Sequence, residues 1–321
     1  MSVSDLFHDA FYRFVTIQNP EALITELELL CSSSGVLGSI LVAGEGINGM
    51  LCGTTSQLQT VRDGLEADPR FQNLMYKRTR CRDQVFKKMK VKLKPEIVAL
   101  GIEGVDASKY HGTDVSPHFW RELIRRDDVV LIDNRNEFEY TLGHFKNAIN
   151  PGVDNFRDFA KFIESNLETW QDKTISMYCT GGIRCEKTSA WLAEKGIQIM
   201  QLEGGILNYF QEVKDANLDY EGTCFVFDKR QELDTNLKIA RTPRTPEVAG
   251  LFSRFLWDGM EPDVEDETEN VTKVETSMLD STTEQPKNPK ALTGIEHCEI
   301  TALKSGGFDP VKAVRRIRDG K

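Results

Sequence analysis

Alternating apolar and polar positions open the chain. Residues 12–17, YRFVTI, are β-branched and alternating, and predict a strand. Asn19 and Pro20 then supply a cap and a first-turn residue for a helix that runs through Leu30 and closes near Gly35. Residues 39–53, SILVAGEGINGMLCG, are two apolar arms around a glycine-rich turn, a hairpin pattern. TTSQLQTVRDGLEADPR reads as a capped helix ending before Pro69, and VFKKMKVKLKPEIVAL alternates again as a strand. The order strand, helix, strand, strand, helix, strand predicts a ferredoxin-like α+β domain over residues 1–105.

Beyond residue 105 the pattern changes. DVVLIDNR and KTISMYC are short apolar runs bounded by charge and glycine, whereas SPHFWRELIRR, NFRDFAKFIESNLETW and KTSAWLAEKG have helical spacing. A further strand, QIMQLEGGI, is followed by a helix, LNYFQEVKDAN. Strands alternating with helices predict a parallel-sheet α/β domain over residues 106–217. CFVFDKR, residues 224–230, reads as one more strand or a docking segment. From about residue 240 the composition drifts to Pro, Thr, Glu and Asp, so the extension 218–321 is expected to be acidic and largely disordered, with a short basic helix at VKAVRRIR.

Charge alters this picture through its distribution. The net charge is -10, yet residues 258–285 hold ten acids against one lysine, while residues 77–94, KRTRCRDQVFKKMKVKLK, hold nine bases against one acid. A near-neutral body carrying a basic segment points to an anionic partner. Lys88, Lys90, Lys92 and Lys94 fall at period two, on one side of a strand, where they could track a phosphate backbone or simply form a solvated edge that discourages aggregation. No apolar run is long enough to span a membrane, and the start lacks the plan of a signal peptide. The seven cysteines are scattered without metal-ligand spacing, which suggests a reducing cytoplasm and no metal site.

The candidate chemistry sits in YCTGGIRCEK, residues 178–187. Cys179 stands at the carboxyl end of a predicted strand, just before a helix, where open α/β sheets bind ligands. Thr180, Gly181, Gly182 and Ile183 form a loop whose glycines allow several backbone N–H groups to turn inward as an anion cradle. The helix start and Arg184 add positive charge, and such surroundings favour thiolate over thiol. Cys185 reads either as a packed thiol or as a second, resolving thiol beside Cys179. Cysteine phosphatases place arginine after five intervening residues; here only four intervene, and the shorter loop suits a sulfur atom better than a phosphate.

LIDNRNEFEYTLGHFKNAINP, YCTGGIRCEKTSAWL and LEGGI together resemble the rhodanese domain, in which Cys179 would be the persulfide-forming cysteine. With AGEGINGML and CFVFDKR added, the chain resembles the rhodanese-type, oxygen-dependent tRNA uridine(34) hydroxylases across residues 10–231. That resemblance implies oxidation of a wobble uridine to 5-hydroxyuridine, molecular oxygen as co-substrate without a recognisable prosthetic group, tRNA held by its anticodon loop as partner, and no protein partner. One departure from the family is that residues 225–297 contain no cysteine, so a metal site in the extension is not supported.

Around the loop, Asp133 with Arg135, Glu139 and His144 read as architectural. Glu203, Gly204 and Gly205 are placed at the rim of the cradle. Glu45 and Asn48 are either turn chemistry or substrate contacts, and Phe86 either packs or stacks a base. Beside hydroxylation, the residues leave open a persulfide sulfurtransferase and a non-catalytic RNA-binding module.

Overall fold

The computed structural model describes residues 5–241; the acidic segment 258–285 and the basic end both lie outside them. Within the described residues the chain builds two main sheets and two short two-stranded ones. The first draws on β1 (Leu6–Phe14), α1 (Pro20–Ser34), β2 (Leu37–Ala43), β3 (Gly46–Thr54), α2 (Thr55–Glu66), β4 (Lys77–Cys81) and β5 (Met89–Leu93). Asn19 caps α1 by accepting from the Ala22 N–H, and Gly35 ends it in the left-handed region with φ 75°. Thr54 and Gln57 close α2 with a reciprocal capping box.

The strand order is β4-β1-β3-β2-β5. The first four strands, with antiparallel β1–β3, β1–β4 and β2–β3 pairs, make the expected ferredoxin-like unit. The basic strand does not close that unit. KRTRC, Lys77–Cys81, does so as β4, and β5 is an additional edge strand parallel to β2.

One face of this sheet carries the helices: Phe11, Leu27, Ile40, Val42, Leu51 and Val61 form the buried core between them. Met89 and Val91 pack into the same core, so alternation turns Lys88, Lys90, Lys92 and Lys94 to the opposite face. That opposite face has no helix of the first unit over it. It meets the helix Ile183–Glu194 and the loop before it, with Ile183 and Ala190 packed against Tyr12, Phe14 and Ala43.

The second unit comprises β6 (Thr113–Val115), α3 (Pro117–Leu123), β7 (Val129–Asp133), α4 (Glu137–Leu142), β8 (Gly143–Phe145), α5 (Phe156–Asn166), β9 (Thr174–Tyr178), α6 (Ile183–Glu194), β10 (Met200–Leu202) and α7 (Gly205–Glu212). Its sheet has the order β6-β10-β9-β7, parallel throughout. At the end of β7, Asp133 and Arg135 form a fully buried ion pair. Tyr178 Oη donates to Asp133, and Arg135 also donates to the Gly143 carbonyl, so no member is left with an uncompensated charge.

Residues 218–241, grouped above with the extension, are folded. β11 (Tyr220–Gly222) pairs with β8, and β12 (Cys224–Phe225) pairs with β13 (Glu232–Leu233). The turn between β12 and β13 returns to the first sheet: the Lys229 N–H donates to the Val85 carbonyl, and Arg230 donates to Thr79 Oγ1 at 2.8 Å. Among the described residues no helix is long and apolar enough to cross a membrane.

The two domains are joined through α6. Lys187 Nζ, on a side chain 2% exposed, donates to both oxygens of Glu45 at 2.9 and 2.8 Å, to Glu96 at 2.5 Å and to the Val98 carbonyl at 3.0 Å. Glu45 also accepts from the Ile97 N–H. Removing the ammonium leaves two inward carboxylates facing each other. Lys187→Met is therefore expected to lower stability by about 3 kcal/mol, seen as a drop in Tm of roughly 6–12 °C by calorimetry. An unchanged Tm would show that the carboxylates are solvated and the clamp is dispensable.

Candidate active site

β9 delivers Cys179 to the carboxyl edge of the parallel sheet, and Gly182 caps α6 with φ 98°, a conformation that excludes most side chains. The turn folds back so that the Gly182 N–H donates to Cys179 Sγ at 3.0 Å. From the other side, the start of α7 holds the loop. The Ile206 and Leu207 N–H groups donate to the carbonyls of Cys179 and Thr180 at 3.0 and 3.3 Å. Gly205, at φ 74°, lies so close that a Cβ there would sit 2.5 Å from the Cys179 carbonyl oxygen. The rim expected at Glu203–Gly205 is thus a brace beneath the loop.

Arg184 does not face an open anion site. Its two terminal nitrogens each donate to Glu139 at 2.7 Å, both side chains being buried, and Thr180 Oγ1 donates to the same carboxylate at 3.3 Å. The expectation that Glu139 is architectural and Arg184 functional thus resolves into a single bidentate pair. Arg184 still acts on the sulfur through its field. Burial alone would push the Cys179 thiol up, but a hydrogen bond from Cys185, the Arg184 charge and the loop amides outweigh it, lowering the pKa to about 5. Cys185 goes the other way: burial and the bond to the Cys179 sulfur push it well above an ordinary thiol. The pair is a thiolate beside a protonated thiol.

Cys179 opens into a cavity of about 340 Å³. One wall is the Cys179–Arg184 loop with Phe156 and Leu207; the other is the helix-free face of the first sheet, with His8, Ala10, Tyr12, Leu41, Asn48 and Met50. The β12–β13 turn closes the end through Val226, Phe227, Asp228 and Arg230. His8 is buried there, and desolvation with the nearby Arg230 charge lowers its pKa to about 4 despite Asp228, so it is neutral above that pH.

Lys77 on β4 crosses to the loop, donating to the Gly181 carbonyl, with its ammonium 5.1 Å from the centre of the Tyr12 ring. Burial lowers its pKa, while the charges of Cys179, Glu186 and Asp114 draw it back up. Tyr12 hydrogen-bonds Glu186, which pairs with His111 at 3.0 Å. Lys77, Tyr12, His8, Glu139, Glu186 and Lys187 carried no site assignment from sequence as a cavity or loop contact. Lys77 was visible only as one of the bases of the 77–94 segment, and its partner lies 104 positions away.

The remaining expectations find these places. Glu45 is the clamp on Lys187, whereas Asn48 lines the cavity while its amide donates to the Ile97 carbonyl. His144 stacks on Tyr140 and bonds its carbonyl at 2.9 Å, a structural role. Phe86 stacks on His8 with ring centres 5.8 Å apart. In the parallel register Lys90 lies beside Ser39 and Lys92 beside the cavity residue Leu41, so the lysine stripe continues the sheet face that walls the cavity. No cluster of acidic, histidine and cysteine side chains suited to a metal ion comes together among the described residues.

Comparison with known proteins accords with this two-part build. Residues 8–97 match the family described as the UPF0176 acylphosphatase-like domain, and residues 116–212 match the rhodanese-like domain. The chain is 42% identical over 236 residues to the tRNA uridine(34) hydroxylase of Legionella pneumophila strain Paris, covering 73% of this chain and 93% of that protein. The protein of the same name from strain Corby gives the same identity and coverage. Among solved structures, the rhodanese-like domain of an Anabaena protein aligns with 34% of this chain and 78% of its own, at 19% identity and a TM-score of 0.28.

Two measurements follow from the site. The lowered pKa means that Cys179 keeps its thiolate above pH about 5 and loses it only below, so its alkylation by iodoacetamide should be half-maximal near that pH; a midpoint near the ordinary value of about 8.5 would remove the activated thiolate. Lys77→Met should shift that midpoint upward, with Lys77→Arg holding it closer to wild type. An identical profile in all three proteins would mean that the ammonium fixes the loop without acting on the sulfur.

Proposed function

The chain belongs to the tRNA uridine(34) hydroxylases, and we propose that it oxidises the wobble uridine of tRNA to 5-hydroxyuridine, with Cys179 as nucleophile and molecular oxygen as co-substrate. The observation that carries this reading is the cavity itself. It joins a sulfur of lowered pKa to a largely apolar chamber, and the sheet face that walls the chamber runs on into the lysine stripe. A wobble base lies in a single-stranded loop and needs little unstacking to enter such a chamber, while the stripe meets the flanking phosphates.

The chemistry needs a nucleophile because C5 of uracil does not react with oxygen unaided. Addition of the Cys179 thiolate to C6 moves the C5=C6 electron pair towards C5 and O4. Negative charge then develops on O4, where a cation in a low-dielectric chamber is worth most. Arg184 is held by Glu139 through two of its five N–H groups, and Lys77 brings an ammonium to the same chamber. Molecular oxygen bonds to the electron-rich C5, and loss of the C5 proton with expulsion of the thiolate then restores the double bond. The anticodon loop is the RNA segment this arrangement suits, and the cytoplasm, where tRNA is matured, is the compartment.

Nucleoside analysis of tRNA from cells lacking this chain tests the reading. Loss of 5-hydroxyuridine and its derivatives, restored by wild type and not by Cys179→Ser, is the expected outcome. Loss of a thiolated base would make the chain a sulfurtransferase, and an unchanged profile would reduce it to an RNA-binding module. For the stripe, reversing Lys88, Lys90 and Lys92 to Glu should weaken tRNA binding and flatten the slope of log K against log salt by about 2. Unaltered affinity would dissociate the stripe from RNA.

A further inference from the structure

Hydroxylation by molecular oxygen leaves one oxygen atom to be reduced to water, and two electrons have to come from somewhere. We propose that the Cys179–Cys185 pair supplies them, the two thiols closing to a disulfide once per turnover. This rests on the hydroxylase reading above and adds the electron source to it.

Three observations bring the pair together. Cys179 ends β9 and Cys185 lies in the first turn of α6, so the glycine loop between them folds back and sets both, each 1% exposed, in one apolar cluster. Each sulfur acts on the other's proton: Cys185 favours the Cys179 thiolate, and Cys179 in turn holds Cys185 protonated. Their access is unequal. Cys179 lines the cavity, whereas Cys185 stands behind it and does not. A reachable thiolate backed by a protonated thiol is the arrangement in which the first sulfur takes an oxidising equivalent and the second resolves it.

The step balances. Thiolate addition at C6, bonding of C5 to oxygen and loss of the C5 proton insert dioxygen into the C5–H bond, giving a C5 hydroperoxide and freeing Cys179. The Cys179 sulfur then attacks the distal oxygen. The O–O bond breaks, 5-hydroxyuridine remains, and Cys179 becomes a sulfenic acid. Cys185 attacks that sulfur, the S–S bond forms, and the hydroxyl leaves as water with the second thiol proton. In sum, uridine, dioxygen and two thiols give 5-hydroxyuridine, water and one disulfide. An external dithiol returns the pair to the reduced state.

Cys185 has a simpler role open to it, as a hydrogen-bond donor that keeps its neighbour ionised. Serine separates the two, since it keeps a donor and lacks the electrons. Reduced full-length protein, freed of small thiols, is mixed with oxygenated buffer and a tRNA transcript carrying an unmodified wobble uridine. The expected result is one 5-hydroxyuridine per chain, an equal amount of Cys179–Cys185 disulfide in the peptide map, and resumption only on adding dithiothreitol. Protein without tRNA should keep both thiols over the same time. Cys185→Ser should complete one turnover and stall with a Cys179 sulfenic acid that dimedone captures. Repeated turnover while both thiols still titrate as free would overturn the proposal and leave the hydroxylase reading standing. Absence of 5-hydroxyuridine even with excess dithiothreitol would overturn the hydroxylase reading and this proposal with it.

Discussion

The burial of the Lys187 ammonium is the constraint on which the rest of the site depends. A buried lysine must be paired, and here both carboxylates, Glu45 and Glu96, come from the first domain while the lysine belongs to α6, the helix that follows the Cys179 loop. Successive helical residues point about 100° apart, so a turn that is engaged all round has no freedom to rotate. The first turn of α6 is engaged in that way. Ile183 lines the cavity, Arg184 holds Glu139, Cys185 meets Cys179, Glu186 meets Tyr12 and His111, and Lys187 closes the clamp. Fixing the last of these residues fixes the position of the sulfur cradle relative to the first sheet.

Much of this could be read from the chain. The strand, glycine loop and helix around Cys179 follow from local signals, because glycine at positive φ and a cap at a helix start are dictated by neighbouring residues. The ferredoxin-like unit was legible for the same reason, through the caps of α1 and α2 and the GEGING turn. What escaped were pairings over distance. Arg184 and Glu139 are 45 positions apart, and Lys187 and Glu45 are 142 apart. A sequence displays each charge and not its partner, so the positive charge of Arg184 beside the loop was legible while its pairing with Glu139 was not. The basic strand misled in a related way. Its alternation was right, but nothing local tells an added edge strand from the one that closes the unit.

The alternation of that edge strand matters beyond the fold. A sheet has two faces, and the first sheet divides them sharply. Phe11, Ile40, Val42 and Val91 face α1 and α2, while Tyr12, Leu41 and Lys92 belong to the other side. One register therefore sets the domain's stability, the wall of the reactive cavity and the direction of the lysine stripe. A slip by one residue would exchange these faces, sending the lysines into the core and the core into the chamber. Register is thus under pressure from packing and from chemistry together.

The sulfur's environment is accordingly built from both domains. The rhodanese-like half provides the amides, the Arg184 field and the second thiol, which suffice to favour the thiolate. The first half provides Tyr12, the Lys77 ammonium and the surface that separates the chamber from water. Interactions between charges strengthen as water is excluded, so Lys77 acts more strongly on the chamber with the sheet in place than it would in an open groove. The chamber is therefore a joint product of the two domains: the loop makes a thiolate, and the first sheet walls the space into which that thiolate opens.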